Sequence, residues 1–383
     1  MGKKVLRTRL CDMLDIEYTI MCAGMGPNLL GEQVGAPVEL VVAVSEAGGL
    51  GVLGASGYTL AELRQSIKNI RAKTDKPFGV DILLPKNVAG MEAPEGVDEI
   101  PLSQILATLP QPYQDWVAKM RQDLDIPEVE IMVRPDTTTM KPGEAVAICI
   151  DEKIPLFCAG LGNPGYMVEE AHANGVKVLA ITGNSKNAGR MAEAGVDLLV
   201  AQGHEAGGHT GRVGTMALLP ACIDAANPVP VIAAGGIADG RGVAAALAMG
   251  CPGVWIGTRF LATTEGGASD AIKRHIVEAS DEGTRVSTMF TGKTLRSIYS
   301  RFHDAWDESG LTALPFPLQI LVSSALFAGF VEANKDEYIG GFAGQASGII
   351  HEIKPAAAVL NDMVEETVDI LTRQLPDSVT ART

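Results

Sequence analysis

The 383-residue sequence predicts an α/β fold, a single (β/α)8 barrel. Short apolar, partly β-branched runs alternate with helix-length stretches, the rhythm of parallel strands joined by crossover helices. Counting the runs gives eight strands, which fits a closed barrel better than an open sheet. Forty-three glycines and only 5% aromatics suit many tight βα turns.

Residues 1 to 17 read as a polar lead-in. Tyr18 to Ala23 is the first strand, ending at Gly24-Met25-Gly26-Pro27. A helix over Pro37 to Ala47 stops at Gly48-Gly49, and Leu50 to Leu53 is the second strand. Thr59 caps a helix running through Ile70, and Phe78 to Leu83 is the third strand. From about 85 to 141 the alternation halts in a stretch rich in prolines and charges, with one helix near Tyr113 to Leu124. This reads as an insertion over one end of the barrel.

The rhythm resumes with helix 143–152, strand Pro155 to Cys158, helix 164–173 and strand Val176 to Ile181. Helix 185–194 leads to the strand Val196 to Val200. Then come Leu218 to Ala226, strand Val229 to Ala233, helix Gly240 to Met249 and strand Gly253 to Ile256. The expected division is a barrel over 1–264 and a mostly helical cap over 265–383, whose last segment returns to the barrel.

Apolar residues at 46% and charged ones at 20% indicate a sizeable core. The net charge is −15 with no basic stripe, which argues against nucleic acid and anionic membranes as partners. The six cysteines form no CxxC pair, as expected of reduced, buried thiols. No signal-peptide pattern or long uncharged apolar run is present, so a cytoplasmic protein is expected.

The sequence is organised around Val196 to Gly211, a buried strand feeding a loop with four glycines, two histidines and Glu205. Strand ends of this kind carry the chemistry of α/β barrels. His204 and His209 are five apart with Gly207-Gly208 between them, which does not suit the helical zinc pattern, and no metal is expected. Gly235-Gly236 and Gly257-Thr258 end the seventh and eighth strands, the usual place for a phosphate in such barrels. No GxGxxG follows the first strand, so a phosphate-bearing cofactor across the barrel mouth is favoured over a Rossmann domain. His172, His275, His303 and His351 read as structural, as do the rings of Trp116, Trp255 and Trp306.

Three segments together resemble the nitronate monooxygenases, formerly called 2-nitropropane dioxygenases: Ala201 to Gly211, Val231 to Arg241, and Gly257-Thr258-Arg259-Phe260. The resemblance spans roughly 18 to 350, and a similar Gly-Gly-His loop occurs in flavin-dependent enoyl-acyl-carrier-protein reductases. It implies an FMN-binding TIM barrel in which Ala23, Gly24 and Met25 lie along the isoalloxazine ring. On the same resemblance Gln202, Gly207 and Gly208 pass close to the flavin, and Lys177 points at its pyrimidine edge. Gly235, Gly236, Gly257 and Thr258 would bind the phosphate, Gln345 would return to the flavin, and His209 would be the catalytic base. Two positions depart from the family pattern. Gly24 stands where proline is common, and Asp81 stands where asparagine is expected, adding a negative charge near the flavin.

The activity this implies is oxidation of alkyl nitronates with O2 to a carbonyl compound and nitrite. The alternative is an FMN-dependent NAD(P)H oxidoreductase of the enoyl reductase or quinone reductase type. A third reading is a flavin- or phosphate-binding barrel without turnover. The expected partners are a small-molecule substrate and O2, with a homodimer allowed.

Overall fold

The computed structural model describes residues 4–27, 35–84 and 99–380. Eight parallel strands follow one another round a ring: β1 (Ile20–Cys22), β2 (Gly51–Gly54), β3 (Phe78–Leu83), β4 (Leu156–Leu161), β5 (Lys177–Thr182), β6 (Leu198–Gln202), β7 (Val231–Ala234) and β8 (Val254–Ile256). β8 pairs with β1 in register Val254–Ile20. Between β1 and β2 the ring is closed by a parallel bridge at Met21 and Leu50, with the Cys22 N–H donating to Leu50 O (2.9 Å) and the Leu50 N–H to Ile20 O (3.0 Å). The chain is a (β/α)8 barrel, the TIM-barrel architecture.

Side chains alternate across each strand and thereby sort the sequence into two apolar cores. On β3, Val80 and Ile82 face the surrounding helices, whereas Met21, Val52, Leu179, Val200, Ile232 and Trp255 fill the barrel itself. Thr59 caps its helix as expected: its hydroxyl accepts from the Glu62 N–H (3.1 Å), and the Glu62 carboxylate accepts from the Thr59 N–H (2.7 Å). A cap of this kind stabilises a helix by about 1 kcal/mol.

The polar lead-in expected over 1 to 17 is corrected. Residues Arg9–Leu14 form a helix, and Leu10, Cys11, Leu14 and Ile16 pack with the barrel interior. The apolar residues lie at helical spacing among charged ones, so the segment reads as polar by composition while its inner face floors the barrel.

The apolar cores also cut across the boundary expected at 264. Helices Leu102–Leu106 and Gln111–Leu124 of the insertion share one core with Leu261 and with residues of the 272–350 region. There Trp116 stacks on Phe302 (centroids 6.0 Å apart) and meets Trp306 edge-on (5.2 Å). The start of the insertion, 85–98, lies outside the described residues. Helix Ala356–Asp369 instead joins the outer barrel core through Val359, Leu360, Met363 and Val364, supplying the helix that follows β8. The region after 264 is not purely helical: strands Thr284–Ser287 and Leu295–Ile298 form an antiparallel hairpin. Among the described residues all six cysteines are buried and free, and no helix is long and apolar enough to cross a membrane.

Candidate active site

The carboxyl ends of the strands open into a cavity of about 1360 Å3. Ala23, Gly24 and Met25 line it from β1, Asp81 from β3, Gly160 from β4, Ile181 from β5 and Gln202 from β6. Glu205, Ala206, Gly207, Gly208 and His209 line it from the loop after β6, Gly235 and Gly236 from that after β7, and Gly257 and Thr258 from that after β8. The insertion and the cap roof it through Ile131, Val133, Phe316, Ile320, Leu321 and Phe342.

Two expected positions are corrected. Lys177 is the first residue of β5, paired with Leu156 at the start of β4. It therefore sits at the end of the barrel away from the cavity, and Ile181, four residues on, lines the cavity instead. Gln345 begins a short 3-10 turn that leaves its side chain exposed. Its neighbours Gly344 and Ala346 line the cavity, and its N–H donates to Glu205 O (2.9 Å).

The loop after β6 is held from outside the barrel. Gly208–His209 forms a short strand against the hairpin, with His209 opposite Leu295 and Gly208 opposite Arg296. Gly207 must be glycine: a Cβ there would stand 2.5 Å from the Ala343 carbonyl carbon. The Gln202 amide group donates to His209 O (2.7 Å), tying the strand end to the histidine's own backbone. His204 stays on the rim, its Nδ1 2.8 Å from Gly211 O.

The His209 ring is oriented on two sides. Its Nε2 lies 2.9 Å from the Thr291 hydroxyl oxygen, and Phe316 meets the ring edge-on at 6.2 Å. Lys293 lies over the same phenyl ring, 4.9 Å from its centroid. Burial, with a smaller contribution from the Lys293 charge, pushes the imidazole pKa down to about 4. His209 is thus neutral at physiological pH, with a lone pair able to take a proton.

Gly235 and Gly236 both adopt positive φ (95° and 75°), a conformation that exposes successive amides to an anion. Beside them Glu205, which the sequence reading did not assign, accepts from the Thr215 N–H (3.0 Å) and hydroxyl (2.8 Å). The buried Arg296 guanidinium lies within reach of the Glu205 charge and donates to His204 O (3.2 Å). Asp239 caps the following helix through the Arg241 and Gly242 amides, as expected. Arg259, also buried, donates to the Glu352 and Ala262 carbonyls.

Asp81 projects inward from β3 and is only 5% exposed. The residue lines the cavity, while its Oδ1 is fully buried and has no hydrogen-bond partner. Burial raises its carboxyl pKa well above the ordinary range, with the Gly160 amide pulling the other way. Burial thus disfavours the negative charge expected at this position. Gly24 follows from the same packing, since a Cβ there would fall 2.2 Å from the Asp81 Cβ.

Comparison with known proteins settles the family. Residues 7–366 match the family model described as nitronate monooxygenase. The chain belongs to the nitronate monooxygenase family. Nitronate monooxygenases are oxidoreductases that the family implies to be flavoproteins, and this enzyme is of that type. It is 37% identical to a putative monooxygenase of Mycobacterium tuberculosis over 95% of this chain and 97% of that one. Among solved structures it resembles FabK of Thermotoga maritima (31% identity, TM-score 0.74, 98% and 100% of the two chains). It also resembles a nitroalkane oxidase of Streptomyces ansochromogenes (26% identity, TM-score 0.78, 95% and 99%). Thr291, Lys293 and Phe316 complete the candidate site unforeseen, because they reach His209 from a hairpin and a loop some 80 to 110 residues beyond the β6 loop. No local periodicity marks such residues; the Thr291-Gly292 turn was the available signal.

Proposed function

We propose that this chain is an FMN-dependent enzyme oxidising alkyl nitronates with O2 to a carbonyl compound and nitrite. The observation carrying this reading is the neutral, desolvated His209 facing a glycine-walled cavity at the barrel mouth. The cavity suits the cofactor on its own chemistry: paired positive-φ glycines at one end and a close-packed wall of small residues beside them. Gly235, Gly236, Gly257 and Thr258 would hold the phosphate, with Ala23, Gly24, Met25, Gln202, Gly207 and Gly208 against the ring. Bound FMN supplies the electron acceptor that O2 then regenerates.

The protein's own part is proton handling and exclusion of water. His209 donates through Nε2–H to Thr291, whose hydroxyl reaches Lys293 O at 3.5 Å, and Nδ1 then carries the lone pair. That nitrogen takes a proton α to a nitro group, or accepts a hydrogen bond from the protonated substrate. Phe316 and the apolar roof keep the site dry, which strengthens each polar contact inside it.

The depressed His209 pKa sets the acid limb. Between its value of about 4 and the ordinary 6.5, the unfolded chain binds the proton and the native site does not, so stability rises with pH across that interval. Correspondingly, kcat/KM, corrected for substrate ionisation, should stay level from neutral pH to about pH 5 and fall below it. A limb centred near 6.5 would remove His209 from the proton transfer.

The likeness to FabK favours a second reading, an FMN-dependent NAD(P)H oxidoreductase of the enoyl or quinone reductase type. Anaerobic stopped-flow mixing separates the two. Rapid bleaching of the flavin absorbance by propionate-3-nitronate, with negligible bleaching by NADH or NADPH, is the expected result. The reverse pattern would establish the second reading.

A further inference from the structure

Helix Leu318–Glu332 carries two apolar faces. Val322, Leu326 and Phe330, four residues apart, face the core shared with Phe302. A second stripe, Pro317, Leu321, Ser324, Ala328 and Val331, lines the cavity at alternating spacings of four and three residues. Ala328 is buried yet packs into none of the apolar cores. The stripe begins beside the chemistry, where Phe316 meets the His209 ring, and ends at Val331, which is 43% exposed. At about 1.5 Å per residue it measures about 21 Å from end to end.

The cavity of about 1360 Å3 is therefore elongated along this helix. It exceeds the roughly 300–1,000 Å3 of an ordinary ligand pocket, so a cofactor at the barrel mouth leaves room to spare. Leu102, Ile131 and Val133 of the insertion line the same space. Among the described residues, the charges that the insertion and this helix add to its lining are Glu99, Glu130, Arg134 and Glu332. The three carboxylates are exposed, and Arg134 is paired with Glu62 (2.7 Å).

We propose that this stripe is the bed of an apolar tail on the substrate, a primary nitronate whose unbranched alkyl chain runs from His209 along helix Leu318–Glu332 toward Val331. The inference deepens the nitronate reading and rests on it for the reacting head group. A polar or sugar-like tail would give up its water along Leu321, Ala328 and Val331 for apolar contacts, at a cost that an alkyl chain does not meet. The short side chains of Ser324 and Ala328 leave width at mid-length, so Ala328 sets how long a chain can lie there.

The test is a chain-length series on the purified holoenzyme: nitroethane, nitrobutane, nitrohexane and nitrooctane, each ionised to its nitronate beforehand, with wild type, Ala328→Phe and Ala328→Leu. In wild type kcat/KM should rise about threefold per added methylene, mainly through KM, because the tail is held equally in ground and transition states. Ala328→Phe should lower the nitrooctane-to-nitroethane ratio of kcat/KM by about tenfold or more. Ala328→Leu, a smaller intrusion at the same place, should lower it by less, and it serves if the phenylalanine variant does not fold. Calorimetric titration with butanol, hexanol and octanol reads the tail site without the chemistry; affinity should rise with length in wild type and lose that rise in the variants. A wild-type ratio that stays flat, or one that both variants leave unchanged, would overturn the proposal. Alkanols bound with the expected increment, beside nitronates that are not oxidised at any length, would support the tail site and sink the nitronate reading alone.

Discussion

Replacing His209 by asparagine is expected to lower nitroalkane and nitronate oxidation by about 10²-fold or more while FMN stays bound. Asparagine keeps a polar group near Thr291 and cannot take the proton. The loop should hold its place, because it is fixed by backbone pairing of Gly208–His209 with the hairpin and by the Gln202 amide group. The acid limb of kcat/KM should disappear with the imidazole. Steady-state rates and the flavin absorbance of purified protein check this together; unchanged turnover would exclude His209 from catalysis.

Gly235→Ala is expected to have the other large effect, here on the cofactor rather than the chemistry. Gly235 has φ of 95°, and a Cβ there would stand 3.0 Å from the Gly203 nitrogen and 3.1 Å from the Thr215 hydroxyl. Forcing an L-residue into this conformation costs about 1–3 kcal/mol. The loop relieves the strain by withdrawing its amides, so FMN Kd should rise about tenfold or more, with a lower Tm. Retention of wild-type affinity and Tm would show that these amides hold no phosphate.

The barrel was legible because strand and helix periods are local, and each βα turn is punctuated by glycine. Phe78–Leu83 and the Thr59 cap emerged as read, and the other barrel strands moved by a few residues. Eleven of the thirteen expected site residues line one cavity, since strand ends and their loops sit at the same end of the ring. The two that do not fail for a geometric reason. Lys177 was assigned to the right strand, but to its far end, and Gln345 lies in a turn whose direction no periodicity encodes. Asp81 could be placed from sequence, but not the burial that raises its carboxyl pKa, which depends on segments distant in the chain. The packing of the insertion on the cap could not be read from sequence, because shared burial, which joins Trp116 to Phe302 across nearly 190 residues, leaves no mark in either segment alone.

The pairing of residues 208–209 with residues 295–296 has a consequence for biosynthesis. All eight staves of the ring have been synthesised once Ile256 is made, yet the imidazole's mooring is still untranslated. The outer ring of helices waits longer still, for Ala356–Asp369. A nascent or prematurely terminated chain would therefore be a catalytically silent vessel, and competence would arrive in one late event rather than growing with length.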